Sequence, residues 1–154
     1  MAKKIAASKL SSHIGYWLRL VSNHVSHSFA KKLDASGVTV AEWVILREMY
    51  DSNDTTSPSH VAELTGLTRG AVSKLITRLL DKNLVTRKEA TEDRRYQDIQ
   101  LTQKAISLVP RLASLADQND HEFFSKLTKA DRQQMIGTLT KLAEQHQIKN
   151  IPLE

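Results

Sequence analysis

At 154 residues the chain can bury one hydrophobic core but is too short for two independent ones. A net charge of +5 admits an anionic partner, and the absence of cysteine excludes disulfides and thiol chemistry. No apolar run approaches the length of a membrane span, and the first residues lack the apolar core of a secretory signal, so a cytoplasmic protein is expected. The charge is uneven. Gly66 to Lys104 holds nine Lys/Arg against five Asp/Glu, whereas Leu108 to Glu154 balances at six of each, so the basic surplus lies ahead of the last third.

Leu10, Ile14, Leu18, Val21, Val25, Phe29 and Leu33 recur at helical spacing and predict one long amphipathic helix from about Ser8 to Ala35, stopped by Gly37. Trp17, Leu20, His24 and His27 form a second stripe beside the first. Thr39-Val40-Ala41-Glu42 is a capping box that starts a second helix, with Trp43, Leu46 and Met49 facing inward and an end near Tyr50. Asp51 to Thr56 reads as a polar connecting loop.

Ser57 and Pro58 then have the residue types of a helix N-cap and first turn, and Gly66 suits a left-handed C-terminal position. Thr68 caps a further helix from Arg69 to about Lys82. Two short helices joined by a glycine turn, with Ala62 small enough for a close crossing, form a helix-turn-helix. The second of them sorts its residues: Val72, Leu75, Ile76 and Leu79 on one side, Arg69, Gly70, Ser73, Lys74, Thr77 and Arg78 on the other. The outer side carries donors and small residues and no carboxylate until Asp81, which suits the major groove of duplex DNA.

From Leu84 to Lys88 and from Tyr96 to Leu101 the period becomes that of strands, Ile99 and Leu101 sharing a face. The pair forms a hairpin behind the reading helix, a wing, with a polar tip from Glu89 to Arg95. Thr102 caps a long helix with two apolar stripes, one of Ala105, Leu108, Leu112 and Leu115, the other of Ile106, Val109, Ala113 and Ala116. Pro110 lies within it, where a kink is expected. Thr128 caps the last helix, along which Met135, Leu139, Leu142 and His146 form a stripe, and the tail from Ile148 to Glu154 is placed to cross to a partner. The terminal helices have more apolar surface than the reading head can cover. A twofold homodimer would bury it and would hold two heads against a palindrome.

Leu67-Thr68, Leu79, Asn83-Leu84-Val85 and, above all, Asp93-Arg94-Arg95 followed after five residues by Leu101-Thr102 carry a resemblance to the MarR/SlyA family of winged helix-turn-helix transcriptional regulators. The resemblance covers nearly the whole chain. It implies a mainly α fold with a small β wing: a winged helix-turn-helix over about 39–102, with long terminal helices of about 8–35 and 103–147 forming a dimerisation region within a single domain. The implied activity is sequence-specific binding of double-stranded DNA, as a repressor more than as an activator. Arg94 then enters the minor groove, Asp93 and Arg95 brace the wing, and Arg95 has an equal claim to a DNA contact.

On the reading helix, Arg69 and Lys74 are suited to guanine edges and Ser73 to either a donor or an acceptor, while Gly70 and Ala71 permit close approach. Arg78 is assigned to phosphate, as are the free N–H groups near Ser59 and Thr68. Members of the family often bind small aromatic, phenolic or carboxylate effectors, for which His13, Trp17, His24, Ser28 and Trp43 are the candidates. The same tryptophans also suit a core, and the histidines a helix surface or a dimer seam. Asp117 and His121, with His24, His27 and Glu42, lack a recognised zinc spacing, so no metal or cofactor is assigned. No phosphate-binding loop, nucleophile elbow, HExxH or paired carboxylates point to an enzyme. The alternative is a winged helix that binds DNA without sequence preference or that serves protein contacts.

Overall fold

The computed structural model describes residues 4–89 and 97–153. After a short 3-10 turn at Leu10–Ser12 come α1 (Ile14–Asp34), α2 (Val40–Asp51), β1 (Thr55–Thr56), α3 (Pro58–Thr65), α4 (Arg69–Asp81), β2 (Val85–Glu89), β3 (Gln97–Leu101), α5 (Gln103–Phe124) and α6 (Lys129–Gln145). The three strands form one antiparallel sheet in the order β1-β3-β2. This is the mainly helical winged helix-turn-helix expected from the sequence.

Local chemistry accounts for most of the boundaries. The hydroxyls of Thr39, Ser57, Thr68, Thr102 and Thr128 each accept the backbone N–H three residues on, satisfying a donor that the first helical turn leaves free. Gly66 ends α3 at φ +70°, a conformation open to glycine and strained for most other residues. Buried Val72, Leu75, Ile76 and Leu79 face the core from α4. In the sheet, Val85 pairs with Leu101, and Arg87 with Ile99, so the alternation buries Val85, Ile99 and Leu101 together.

Three expectations are corrected. The first helix does not run from Ser8: His13 is extended and α1 begins at Ile14. Ser12 Oγ donates to the Lys9 carbonyl at 2.7 Å and Trp17 Nε1 to the Ser11 carbonyl at 2.9 Å, so side chains take backbone carbonyls that a helix would otherwise use. The polar loop after α2 contains a strand. Asn53 and Asp54 adopt positive φ, turning the chain so that Thr55 and Thr56 pair with Gln100 and Ile99 of β3. On α5 both expected stripes meet the core: Ala105, Val109 and Leu112 are buried in it, and Ile106, Leu108, Ala113, Leu115 and Ala116 pack against it, with Asn119 buried further along. The tail lies against its own chain, the Ile151 N–H donating to the Leu64 carbonyl of α3 at 3.0 Å. Within α5 the helix continues through Pro110, which has no N–H to offer the preceding turn.

The core is unevenly distributed. Leu33, Ile45, Leu46, Met49, Val61, Leu75, Leu79, Leu84 and Leu112 are buried, and they tie the end of α1, the middle of α5 and the whole winged unit together. By contrast the first half of α1 is exposed through Ile14, Trp17, Leu18 and Val21, and no residue of α6 is buried. No helix among the described residues is long and apolar enough to cross a membrane.

Candidate nucleic-acid interface

The outward side of α4 is the complement of its buried stripe. With Val72, Leu75, Ile76 and Leu79 turned inward, Arg69, Gly70, Ser73, Lys74, Thr77 and Arg78 are all exposed. The Thr68 cap and the exposed Ser59 at the start of α3 lie at the two helix N-termini of the helix-turn-helix, where unpaired N–H groups favour anions. A Cβ built on Gly70 would meet nothing of the chain within 4 Å, so internal packing does not demand glycine there. Behind α4 the β2–β3 ribbon projects as the wing. Its tip, with the candidates Asp93, Arg94 and Arg95, lies outside the described residues.

Arg78 departs from the role of a simple phosphate contact. Its Nε donates to Glu42 Oε1 at 3.2 Å, while the other carboxylate oxygen accepts Lys82 Nζ at 2.6 Å and the Thr39 backbone N–H at 3.0 Å. Glu42 is fully buried in the structure. Burial by itself pushes its carboxyl pKa up. The hydrogen bonds from Lys82, Thr39 and Arg78, together with the Lys82 charge, outweigh that and hold it below the ordinary glutamate value. Lys82 Nζ also reaches the Gly37 carbonyl at 2.7 Å, and Lys104 Nζ donates to the Lys82 carbonyl at 2.8 Å. The capping box identifies Glu42 in the sequence, but its partners stand 36 and 40 residues away, where no local pattern reaches.

The effector candidates are not gathered in one place. Trp43 is nearly buried and meets Phe29 edge to face, ring centroids 6.2 Å apart, and Ser28 lies beside that pair in sequence. The Ser28 hydroxyl accepts Lys32 Nζ at 3.0 Å in a cluster that also joins Lys32 to Asn119 and Glu122. His24 is exposed one helical stretch earlier, and Trp17, half exposed, lies about 16 Å along α1 from Ser28 at the helical rise. His13 precedes the helix. Glu42, considered with His24, His27, Asp117 and His121 as a loose metal set, is occupied by its two cations. Among the described residues no three His, Asp or Glu side chains converge as a metal ion would need.

The comparisons with known proteins agree on what this arrangement is. The MarR family model matches residues 36–95. A protein of Thauera aromatica described as a transcriptional regulatory protein for the hcr operon is 24% identical over 143 residues, covering 92% of this chain and 86% of its own. Among solved structures, the S. aureus MepR–DNA complex superposes with a TM-score of 0.77 at 26% identity, covering 86% of this chain and 98% of that one. The organohalide-sensing regulator RdhR in its 2,4-dichlorophenol-bound form superposes with a TM-score of 0.80 at 16% identity over 94% of this chain and 88% of that one, which shows the shared fold. The proteins matched are described as transcriptional regulators. Its reading head matches the MarR family model, and its capped reading helix, its wing and its long terminal helices share the winged-helix fold of the MarR-family regulators it resembles.

Proposed function

We propose that the protein is a homodimeric repressor that reads a palindromic operator and is released from it by a small aromatic or phenolic effector. The observation that carries the reading of DNA is the exposed face of α4: Arg69, Gly70, Ser73 and Lys74 offer donors and close approach, and no acid interrupts them. In this reading Arg69 and Lys74 meet guanine edges, Ser59 and Thr68 hold phosphate at helix N-termini, and Arg94 enters the minor groove beside Asp93 and Arg95. One head reads only a few base pairs. Two heads held by a shared frame read half-sites about 10 base pairs apart, or a multiple of that.

The dimer is supported by the apolar surface left on α1 and α6, where Ile14, Leu18, Val21, Met135, Ile136, Leu139 and Leu142 are exposed in the single chain. An effector is supported by the likeness to a regulator captured with 2,4-dichlorophenol. The aromatic wall available to one is the Phe29–Trp43 pair, near Ser28. Affinity for the tightest duplex selected from a random pool, divided by affinity for random duplex at the same salt, tests the reading. A large ratio with a symmetric selected sequence is expected. A ratio near one would make this an architectural DNA binder.

A further inference from the structure

Glu42 is the only fully buried carboxylate among the described residues. A capping glutamate needs only the bond back to its N-cap N–H, here Thr39, and such a residue ordinarily remains at the surface. A buried carboxylate without compensating donors is expensive, so the cations of α4 must come to it. They come from one end of the reading helix: Arg78 to Oε1 and Lys82 to Oε2. Through Lys82 and Lys104 the same node holds the Gly37 carbonyl and the first turn of α5. The Arg78 side chain remains half exposed on the face that carries Ser73 and Lys74, while its Nε is committed inward to Glu42.

We propose that Glu42 is a positioning residue of the DNA-reading head, fixing the C-terminal end of the recognition helix and withholding Arg78 from the DNA backbone. The proposal rests on the DNA-reading function given above. An arginine on the backbone strengthens binding to every sequence alike and discriminates between none. Neutralising it from inside lowers non-specific affinity, and the anchored helix end keeps Arg69 and Lys74 aimed at bases.

The test measures binding of wild type, Glu42→Gln, Arg78→Gln and the double variant across a range of salt, against both the selected and the random duplex. Glutamine keeps the shape of Glu42 but removes the charge that holds Arg78. The log–log salt slope of Glu42→Gln should steepen by about one unit, since one more cation displaces counterions. Its preference for the selected duplex should fall about tenfold, the worth of one aligned base contact. Arg78→Gln should leave the slope at the wild-type value, and the double variant should return to it.

A slope lowered by one unit in Arg78→Gln alone would show that Arg78 already sits on phosphate, and the proposal would be wrong. It is equally overturned if Glu42→Gln lowers the melting temperature while slope and preference stay put. If Glu42→Gln does not fold, the Arg78→Gln slope decides by itself. A wild type without sequence preference would remove the functional reading and this inference with it, a failure distinct from the other two.

Discussion

Truncating Leu139 and Leu142 together to alanine should dissociate the proposed dimer while sparing the fold of each chain. The two side chains lie three apart on α6 and are 42% and 40% exposed in the isolated chain. Full burial of a leucine is worth roughly 1.5–3 kcal/mol, so covering the exposed part contributes about 1 kcal/mol for each. Twofold symmetry presents each residue twice, and the double truncation therefore weakens the dimer by about 4 kcal/mol, close to a thousandfold in Kd. Because α6 contributes no buried residue to its own chain, the internal core loses nothing. Sedimentation equilibrium over a dilution series reads the dissociation constant, and far-ultraviolet circular dichroism checks that the helices persist. A helical double variant that dimerises as tightly as the wild type would refute the reasoning, since it would place the partner on another surface.

Three further outcomes follow from single contacts. Lys74→Ala should relax preference at one base pair at a cost of about 1–3 kcal/mol, read by repeating the duplex selection; equal weakening on all sequences would make Lys74 a backbone contact. Gly66→Ala places a side chain at φ +70° and a Cβ 2.4 Å from the Asn150 amide nitrogen, a movable side-chain end. It should therefore destabilise by about 1–2 kcal/mol in urea unfolding, mostly through the backbone. The depressed pKa of Glu42 stabilises the fold fully at pH values above its unfolded value near 4.5, and that contribution is lost as pH falls through the lower folded value. Melting temperatures taken from about pH 6 down to pH 3 should drop on this limb in the wild type and drop less in Glu42→Gln.

What was legible in the sequence is what depends on near neighbours. Each of the five hydroxyl caps bonds three residues ahead, and the buried stripe of α4 follows from spacing alone, so both can be read without knowing the tertiary structure. Its outward face is then readable as the remainder. Pairings between distant segments are not readable in this way. Thr55 and Thr56 look like loop because their partners, Gln100 and Ile99, come some forty residues later. Arg78 looks like a free cation because a buried acid on another helix is invisible to helical spacing. The break at His13 has a local cause, but one hydroxyl and an indole competing for carbonyls weigh little against a seven-residue apolar stripe.

The division of the core bears on how such a regulator can respond without unfolding. Inside one chain, Leu33, Leu46, Leu75, Leu79 and Leu112 are buried and lock α2, α4 and the inner parts of α1 and α5 into one unit. In the proposed dimer the surfaces that set the distance between two such units are the exposed faces of α1 and α6, and a seam there can slide at a cost far below that of repacking a core. Beside the packed core, hydrogen bonds join the head to the flanking segments: Lys104 at the start of α5 holds the Lys82 carbonyl, and beyond the end of α6 the Ile151 N–H holds the Leu64 carbonyl beside the turn of the helix-turn-helix. A displacement of the frame would, in the proposed dimer, reach both sides of the reading helix. The head of such a dimer would then turn as a rigid body, and a shift of a few ångströms at the seam would change the separation of two recognition helices while leaving each one's aim within its own half-site intact.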